Sequence, residues 1–180
     1  MATPRQMIDH SLDCLKGWMP GNMGSIDKAA KLSANVTIDP VFQGRVVHLN
    51  SDGEFEMGCT GNQMPIFLLQ NSDDTDVTNS SDGGMWTPIV PKGFMTGLVA
   101  IGGYELATTE FDADQIYAYN DMLRAVASNT NATTGGRLTN AGITLFTNAV
   151  CGIVSKPEAN NANAKSVISF WPVFCPGSGA

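Results

Sequence analysis

The chain has few charged residues and few aromatic rings: 15% and 8% of its 180 residues, respectively. Soluble domains average about 25% charged residues. Basic residues are fewer than acidic ones: the chain has 10 Lys and Arg and 17 Asp and Glu, which gives a net charge of −7. Phosphate binding requires clustered positive side chains, so the composition speaks against nucleic acid as a partner.

Long apolar runs are missing as well. No stretch approaches the ~18 apolar residues of a membrane-spanning helix, and the most apolar one, Ile66–Leu69, has the length of a strand. Residues 1–19 include Arg5, Asp13 and Lys16, which interrupt any apolar core of a signal peptide. We therefore expect neither a signal peptide nor a membrane partner.

The cysteine spacing lacks any metal-binding or disulfide-rich pattern. Cys14, Cys59, Cys151 and Cys175 include no C-x-x-C pair, so a zinc site or a disulfide framework is not expected. Buried free thiols are the simpler interpretation.

Residues suited to catalysis are few. Of two histidines, His48 alternates with Val47 and Leu49, so we expect it to face solvent or a neighbouring subunit. No G-x-S-x-G motif occurs. Acid pairs can be drawn from Glu105 with Glu110 or from Glu54 with Glu56, but such acids usually form the solvated side of a strand. We expect no enzyme, no catalytic residue and no cofactor.

An acidic loop covers Asn71–Gly84, with Asp73, Asp74, Asp76 and Asp82 and no basic residue. Calcium favours such oxygen ligands, but the EF-hand spacing is missing. The sequence predicts a solvent-exposed loop without a metal site, and cation binding stays open as the alternative.

Turn-forming residues and period-two alternation are what the chain does have. Arg45–Leu49 and Glu54–Met57 flank Asn50-Ser51-Asp52-Gly53, which predicts a β-hairpin because Asp-Gly suits the positive φ of its turn. Further strands are predicted in the ranges 66–70, 94–101, 104–111, 143–146, 149–154 and 166–174. The residues alone therefore predict a mainly β domain.

Two segments are less regular. In the range 115–127, Ile116, Tyr119, Leu123 and Val126 have helical spacing, yet Asn120-Asp121 is typical of a turn, and we favour a strand plus a turn. In residues 1–39, Ile8, Leu12, Leu15 and Met19 have helical spacing, and Gly and Pro from residue 17 onwards would stop a helix there. The competing interpretation is an extended arm whose apolar residues dock onto another surface. We divide the chain into this N-terminal arm (1–39) and a β body (40–180).

Several phrases resemble the capsid decoration, or structural cement, proteins of tailed bacteriophages. They are Gly44–Asn50, Gly53–Gly58, Met64–Asp74, Gly102–Leu106, Thr108–Phe111, Gly135–Thr139 and Ser169–Val173.

The resemblance implies a small antiparallel β-barrel or sandwich body that forms homotrimers. Such trimers bind the major capsid protein on the outside of an expanded head, at threefold and quasi-threefold junctions, and stabilise it mechanically. It also implies a protein made in the host bacterial cytoplasm that ends on the virion. Family members often reach capsid subunits with an N-terminal arm. We expect the large apolar side chains of the arm to make these contacts: Ile8, Leu12, Leu15, Trp18 and Met19.

A carbohydrate- or receptor-binding virion module is the alternative function. Trp86 near the acidic loop would then supply the aromatic platform. Trp171, in an alternating run, is expected in a core or at a subunit interface rather than on a sugar-binding surface.

Overall fold

The computed structural model describes residues 12–17, 26–69, 71–72, 94–99, 104–143, 149–157 and 167–177. Within these ranges the backbone forms eleven strands and no helix, which confirms the prediction of a mainly β fold. The strands are β1 (Leu12–Gly17), β2 (Ile26–Lys31), β3 (Val46–Leu49), β4 (Phe55–Met57), β5 (Ile66–Leu68), β6 (Phe94–Val99), β7 (Tyr104–Thr108), β8 (Met122–Ala125), β9 (Leu138–Thr139), β10 (Val150–Lys156) and β11 (Ile168–Cys175).

The strands form two antiparallel sheets. One sheet has five strands in the order β2-β6-β5-β3-β4, and the other has six strands in the order β1-β7-β11-β10-β8-β9. In the six-stranded sheet β11 lies between β7 and β10, so it joins the β1–β7 pair to the other three strands.

One sheet is nearly closed and barrel-like, and the other packs against it. We call the five-stranded sheet the barrel because its two outer strands meet. Leu32, directly after β2, makes a parallel bridge with Phe55 of β4, and the Ser33 amide donates to the Phe55 carbonyl at 3.0 Å. The two outer strands of the sheet are thereby brought together. The interior is filled by buried side chains, among them Ala30, Ile38, Val41, Val47, Phe55, Met57, Ile66, Leu68 and Met95.

A second core lies between the barrel and the six-stranded sheet. The barrel contributes Val46 and Phe67 from the outside of its wall, and the six-stranded sheet contributes side chains such as Leu106 and Phe170. The rings of Phe67 and Phe170 lie 5.5 Å apart across this interface. Strands β3 and β5 are consequently covered on both faces.

The hairpin predicted in the range 45–57 is confirmed. Val47 pairs with Met57 and Leu49 with Phe55, and Gly53 has the predicted positive φ of 76°. The Asn50 side chain also holds the turn, because its Oδ1 accepts from the amides of Asp52 and Glu54, each at 2.9 Å.

The segment 115–127 forms a turn followed by strand β8, as favoured from the sequence. Asn120 adopts a left-handed φ of 69°, and the Asp121 amide donates to the Ala118 carbonyl at 3.2 Å. The helical spacing is therefore interrupted in its middle.

Other predicted strands correspond to β5, β6, β7, β10 and β11, with ends shifted by a few residues. Most of the predicted strand in 143–146 and nearly all of the acidic loop lie outside the described residues. Part of the predicted arm forms strands, since β1 pairs with β7 and β2 pairs with β6. The division into arm and body at residue 39 stays a prediction.

Candidate functional site

His48 is buried, which corrects the expectation that it faces solvent or a neighbouring subunit. Its direction opposite Val47 follows the predicted alternation, but the outside of the barrel wall is itself covered. The His48 Nδ1 lies 2.8 Å from the Gly58 carbonyl oxygen, so the tautomer with a proton on Nδ1 donates to it. His48 thus holds the end of the β3–β4 hairpin.

The glutamates considered as acid pairs make structural hydrogen bonds. Glu105 accepts from the Ser155 hydroxyl at 2.8 Å. Glu56 accepts from the side-chain amides of Asn35 at 3.1 Å and Asn50 at 3.3 Å, and these bonds lower the pKa of Glu56. The side chains of Glu56 and Glu105 are nevertheless partly exposed, so the solvated strand face expected from the sequence is retained in part.

Arg45 and Glu110 form a buried ion pair. Both side chains are 1% exposed, and Arg45 Nε donates to Glu110 Oε2 at 2.8 Å. The other two guanidinium nitrogens donate to backbone carbonyls, at 3.2 Å to Gly135 and 2.8 Å to Ala132. Burial lowers the pKa of Arg45, and the hydrogen bond and charge of Glu110 oppose this shift.

A second arginine completes this cluster. Arg137 Nε donates to the same Glu110 oxygen at 3.3 Å, and its side chain keeps 25% of its surface exposed. The sequence pattern alone did not identify this cluster. The signal for it was Arg45, a charged residue directly before the predominantly apolar strand 46–49. Through the carbonyls of Ala132 and Gly135, the cluster fixes the 128–136 loop against the entrance of β3.

Two thiols meet in the core between the barrel and the six-stranded sheet. Cys59 and Cys151 are buried and free, as expected, with their Sγ atoms 3.1 Å apart. Cys175 is also free but exposed, so the expectation of burial is wrong there. It lies at the end of β11, where the strand leaves the core.

No group of three or more His, Cys, Asp or Glu side chains with metal-binding geometry occurs among the described residues. The aspartates of the acidic loop lie outside them, so the predicted exposure of that loop and its alternative, a cation site, both stay open.

An apolar row crosses the outer face of the six-stranded sheet. Ile153 of β10 stands directly opposite Met122 of β8 on one side and opposite Trp171 of β11 on the other. Trp171 is 46% exposed, whereas its neighbour Phe170 is fully buried on the opposite face. We call Met122, Ile153 and Trp171 the outer row. Trp171 therefore does not lie in the core of the chain.

The loop before β8 adds two exposed apolar side chains, Ile116 at 84% and Tyr119 at 65%. It is held by hydrogen bonds: Asp121 Oδ2 accepts from the Ala118 amide at 2.8 Å and from Asn140 Nδ2 at 2.9 Å. The same Asn140 nitrogen donates to the Ile116 carbonyl at 2.9 Å.

This loop also pairs with β10 of the six-stranded sheet. The Asn120 amide donates to the Val154 carbonyl at 2.9 Å, and the Val154 amide donates to Asp121 at 2.8 Å. Tyr119 is therefore presented from a fixed backbone next to the strand that carries Ile153.

The proposed arm contacts are only partly described. Leu12 and Leu15 belong to β1, an outer strand of the six-stranded sheet. Ile8, Trp18 and Met19 lie outside the described residues, as does Trp86, the predicted glycan platform. Their assignment as contact residues stays a prediction.

Among the described residues, no helix is long and apolar enough to cross a membrane. Comparisons with protein-family models, with curated proteins and with solved structures give no match to the chain.

Proposed function

We propose that this protein is a capsid decoration protein of a tailed bacteriophage. It binds the outer surface of the expanded head at threefold and quasi-threefold junctions of the major capsid protein and stabilises the shell mechanically. The resemblance of the phrases between Gly44 and Val173 supports this family. The protein is made in the host bacterial cytoplasm and acts on the virion.

The observation that carries the proposal is the outer row beside its hydrogen-bonded loop. Large apolar side chains that are exposed on fixed backbone mark interaction surfaces, because monomeric proteins seldom leave extended apolar patches open. The row spans three strands, so its side chains need no reordering before they bind. A preorganised surface loses less conformational entropy on association.

We assign the outer row to the contact between sister chains of a homotrimer. Interfaces of permanent homo-oligomers are more apolar than transient ones, and Met, Ile and Trp suit that composition. The arm residues Ile8, Leu12, Leu15, Trp18 and Met19 would then contact the capsid. Three arms on one trimer bind together, and this multivalency strengthens weak individual contacts.

The enclosed position of the polar groups supports a mechanical role over a chemical one. His48 and Glu110 are both buried and bond to neighbouring protein groups. Their contacts join strands and loops, and such bonds resist mechanical deformation of the body.

Co-sedimentation with capsids tests the proposal. The purified protein is mixed with expanded heads lacking decoration protein, and with unexpanded heads as the control, and the pellets are quantified. We expect saturation near one trimer per threefold and quasi-threefold junction on expanded heads, with much weaker binding to unexpanded ones. Absence of the protein from both pellets would contradict the proposal.

A carbohydrate- or receptor-binding module is the second candidate. The half-exposed ring of Trp171 favours it, since sugars stack on accessible aromatic faces. A glycan array separates the two functions: glycan binding that is lost in Trp171→Ala, together with no capsid binding, would support the second candidate.

A further inference from the structure

The thiols of Cys59 and Cys151 come from different parts of the fold and meet in the core. Cys59 follows β4 of the barrel, whereas Cys151 belongs to β10 of the six-stranded sheet, 92 residues further along the chain. Their side chains are 2% and 0% exposed, and the two Sγ atoms are 3.1 Å apart.

The backbone on both sides of this thiol pair is closely packed. Gly58, next to Cys59, lies against the chain after β8, where an added Cβ would come within 2.3 Å of the Val126 carbonyl oxygen. Cys151 is held within β10, and its Sγ lies 3.7 Å from the Ala149 carbonyl oxygen. A disulfide bond is about 2.05 Å long, so the sulfur atoms must approach by only about 1 Å.

We propose that Cys59 and Cys151 are an oxidation site that forms an intramolecular disulfide and covalently joins the barrel to the six-stranded sheet. This inference is independent of the proposed capsid function.

A small peroxide is the oxidant that suits so enclosed a pair. One thiol loses its proton, and the thiolate attacks a peroxide oxygen. The O–O bond breaks, and the leaving hydroxide takes up the proton, so that a sulfenic acid and one water are formed. The second thiol attacks the sulfenic sulfur and expels a second water, so two thiols and one hydrogen peroxide give one disulfide and two waters. The hydrogen bond with Cys59 and burial raise the pKa of Cys151, which makes the reaction slow, because the thiolate is the nucleophile.

Closing a loop of this length should stabilise the folded protein. A disulfide restricts the unfolded chain more strongly when it closes a longer loop. For a chain of this size we expect oxidation to raise the Tm by about 4 °C or more.

The experiment uses the full chain with Cys14→Ser and Cys175→Ser, so that the pair is the only source of thiols. The folded protein is treated with hydrogen peroxide, quenched with catalase, and alkylated in denaturant without reduction. We expect peptide mass spectrometry to find Cys59 linked to Cys151 within one chain, with loss of two hydrogen atoms and reversal by dithiothreitol.

The matched control adds Cys59→Ala to the same background. It undergoes the same methionine oxidation but cannot form the bond, so only the pair-containing protein should gain Tm on treatment. Two free thiols after prolonged treatment that does oxidise methionines, irreversible sulfinic acid in place of the bond, or a disulfide that lowers the Tm would each overturn the proposal.

Discussion

Arg45 of the barrel and Glu110 after β7 form a 2.8 Å ion pair in which each side chain is 1% exposed. The pair ties the entrance of β3 to the second sheet across 65 residues of sequence. Arg45 is the more buried of the two arginines that bond to Glu110, so its removal would take away the main compensation of this buried carboxylate.

Arg45→Met should therefore lower the free energy of unfolding by about 3–5 kcal/mol. The substitution leaves the Glu110 carboxylate with Arg137 and deprives the carbonyls of Ala132 and Gly135 of their donors. Arg137→Met is the control, and we expect a loss of only about 1–2 kcal/mol because Glu110 keeps its buried partner. Urea denaturation measures both, and equal losses would contradict the dominant role of Arg45.

Gly53 and Gly58 have nearly equal φ but different surroundings. Replacing each by alanine therefore distinguishes the cost of the left-handed backbone from the cost of close packing. Gly53 has φ +76° and no atom near an added Cβ, whereas Gly58 has φ +74° and a Cβ there would meet Val126 at 2.3 Å. Gly53→Ala should cost about 1–2 kcal/mol, the left-handed penalty. Gly58→Ala should cost clearly more in the same denaturation assay. Similar losses would mean that the chain around Val126 moves away freely.

Glu56 should make stability depend on acid pH. Hydrogen bonds from Asn35 and then Asn50 lower its pKa below the ordinary 4.5. Its contribution is therefore present above pH 4.5 and is lost as the pH falls through the lower folded value. The stability of the wild type relative to Glu56→Gln should decline over that acid range, as measured by denaturation at each pH.

An NMR titration of the Glu56 carboxyl carbon provides the matched control. Asn35→Ala removes the donor with the largest effect, so the carboxyl should then titrate at higher pH. An unchanged titration in this variant would argue against the hydrogen bond as the cause.

Trp171→Ala should convert the proposed homotrimer to monomers without unfolding the chain. The ring is half-exposed in the single chain, and large aromatic side chains commonly dominate binding energy at interfaces. Light scattering over a concentration series measures the change, and circular dichroism checks the fold. Met64→Ala removes another exposed apolar side chain outside the outer row and should leave the trimer intact. A wild type that is monomeric at high concentration would contradict the assignment.

Trp18→Ala should weaken capsid binding at least about tenfold, which corresponds to ~1.4 kcal/mol. Trp18 is the largest apolar side chain of the proposed arm contacts, and the measurement is co-sedimentation at graded protein concentration. Trp86→Ala is the control and should bind normally. If Trp18→Ala binds expanded heads as tightly as the wild type, the arm does not make the capsid contact.

Local sequence patterns were sufficient for the hairpin around Gly53 because its turn chemistry and its alternation lie within 13 residues. The same alternation correctly predicted that the His48 side chain points away from Val47 and Leu49. Local patterns did not give its burial, because a second sheet, built from residues far along the chain, covers the outside of the barrel wall. Alternation separates the two faces of a strand but does not indicate what lies against each.

The candidate surface was predictable only in part. Helical spacing at Ile116 and Tyr119 gave no helix because Asn120 is left-handed and Asp121 bonds the turn. The outer row depends on the register of three strands, and the Arg45–Glu110 pair joins residues 65 positions apart. Neither relationship is encoded in a local pattern.

The central position of β11 has a consequence for the order of folding. β11 is synthesised after every other strand of the six-stranded sheet, yet it separates β7 from β10. Until residues 168–175 are synthesised, β7 and β10 lack the strand that lies between them, and the two parts of the sheet are linked by the bridge between Phe111, after β7, and Leu138 of β9. The strands of the barrel come earlier and can pair before β11 is made. The core between the barrel and the six-stranded sheet is completed later, because it includes Ile168 and Phe170 of β11. Non-local pairings of this kind fold slowly, so completion of this sheet follows the synthesis of β11 and comes after the strands of the barrel can pair.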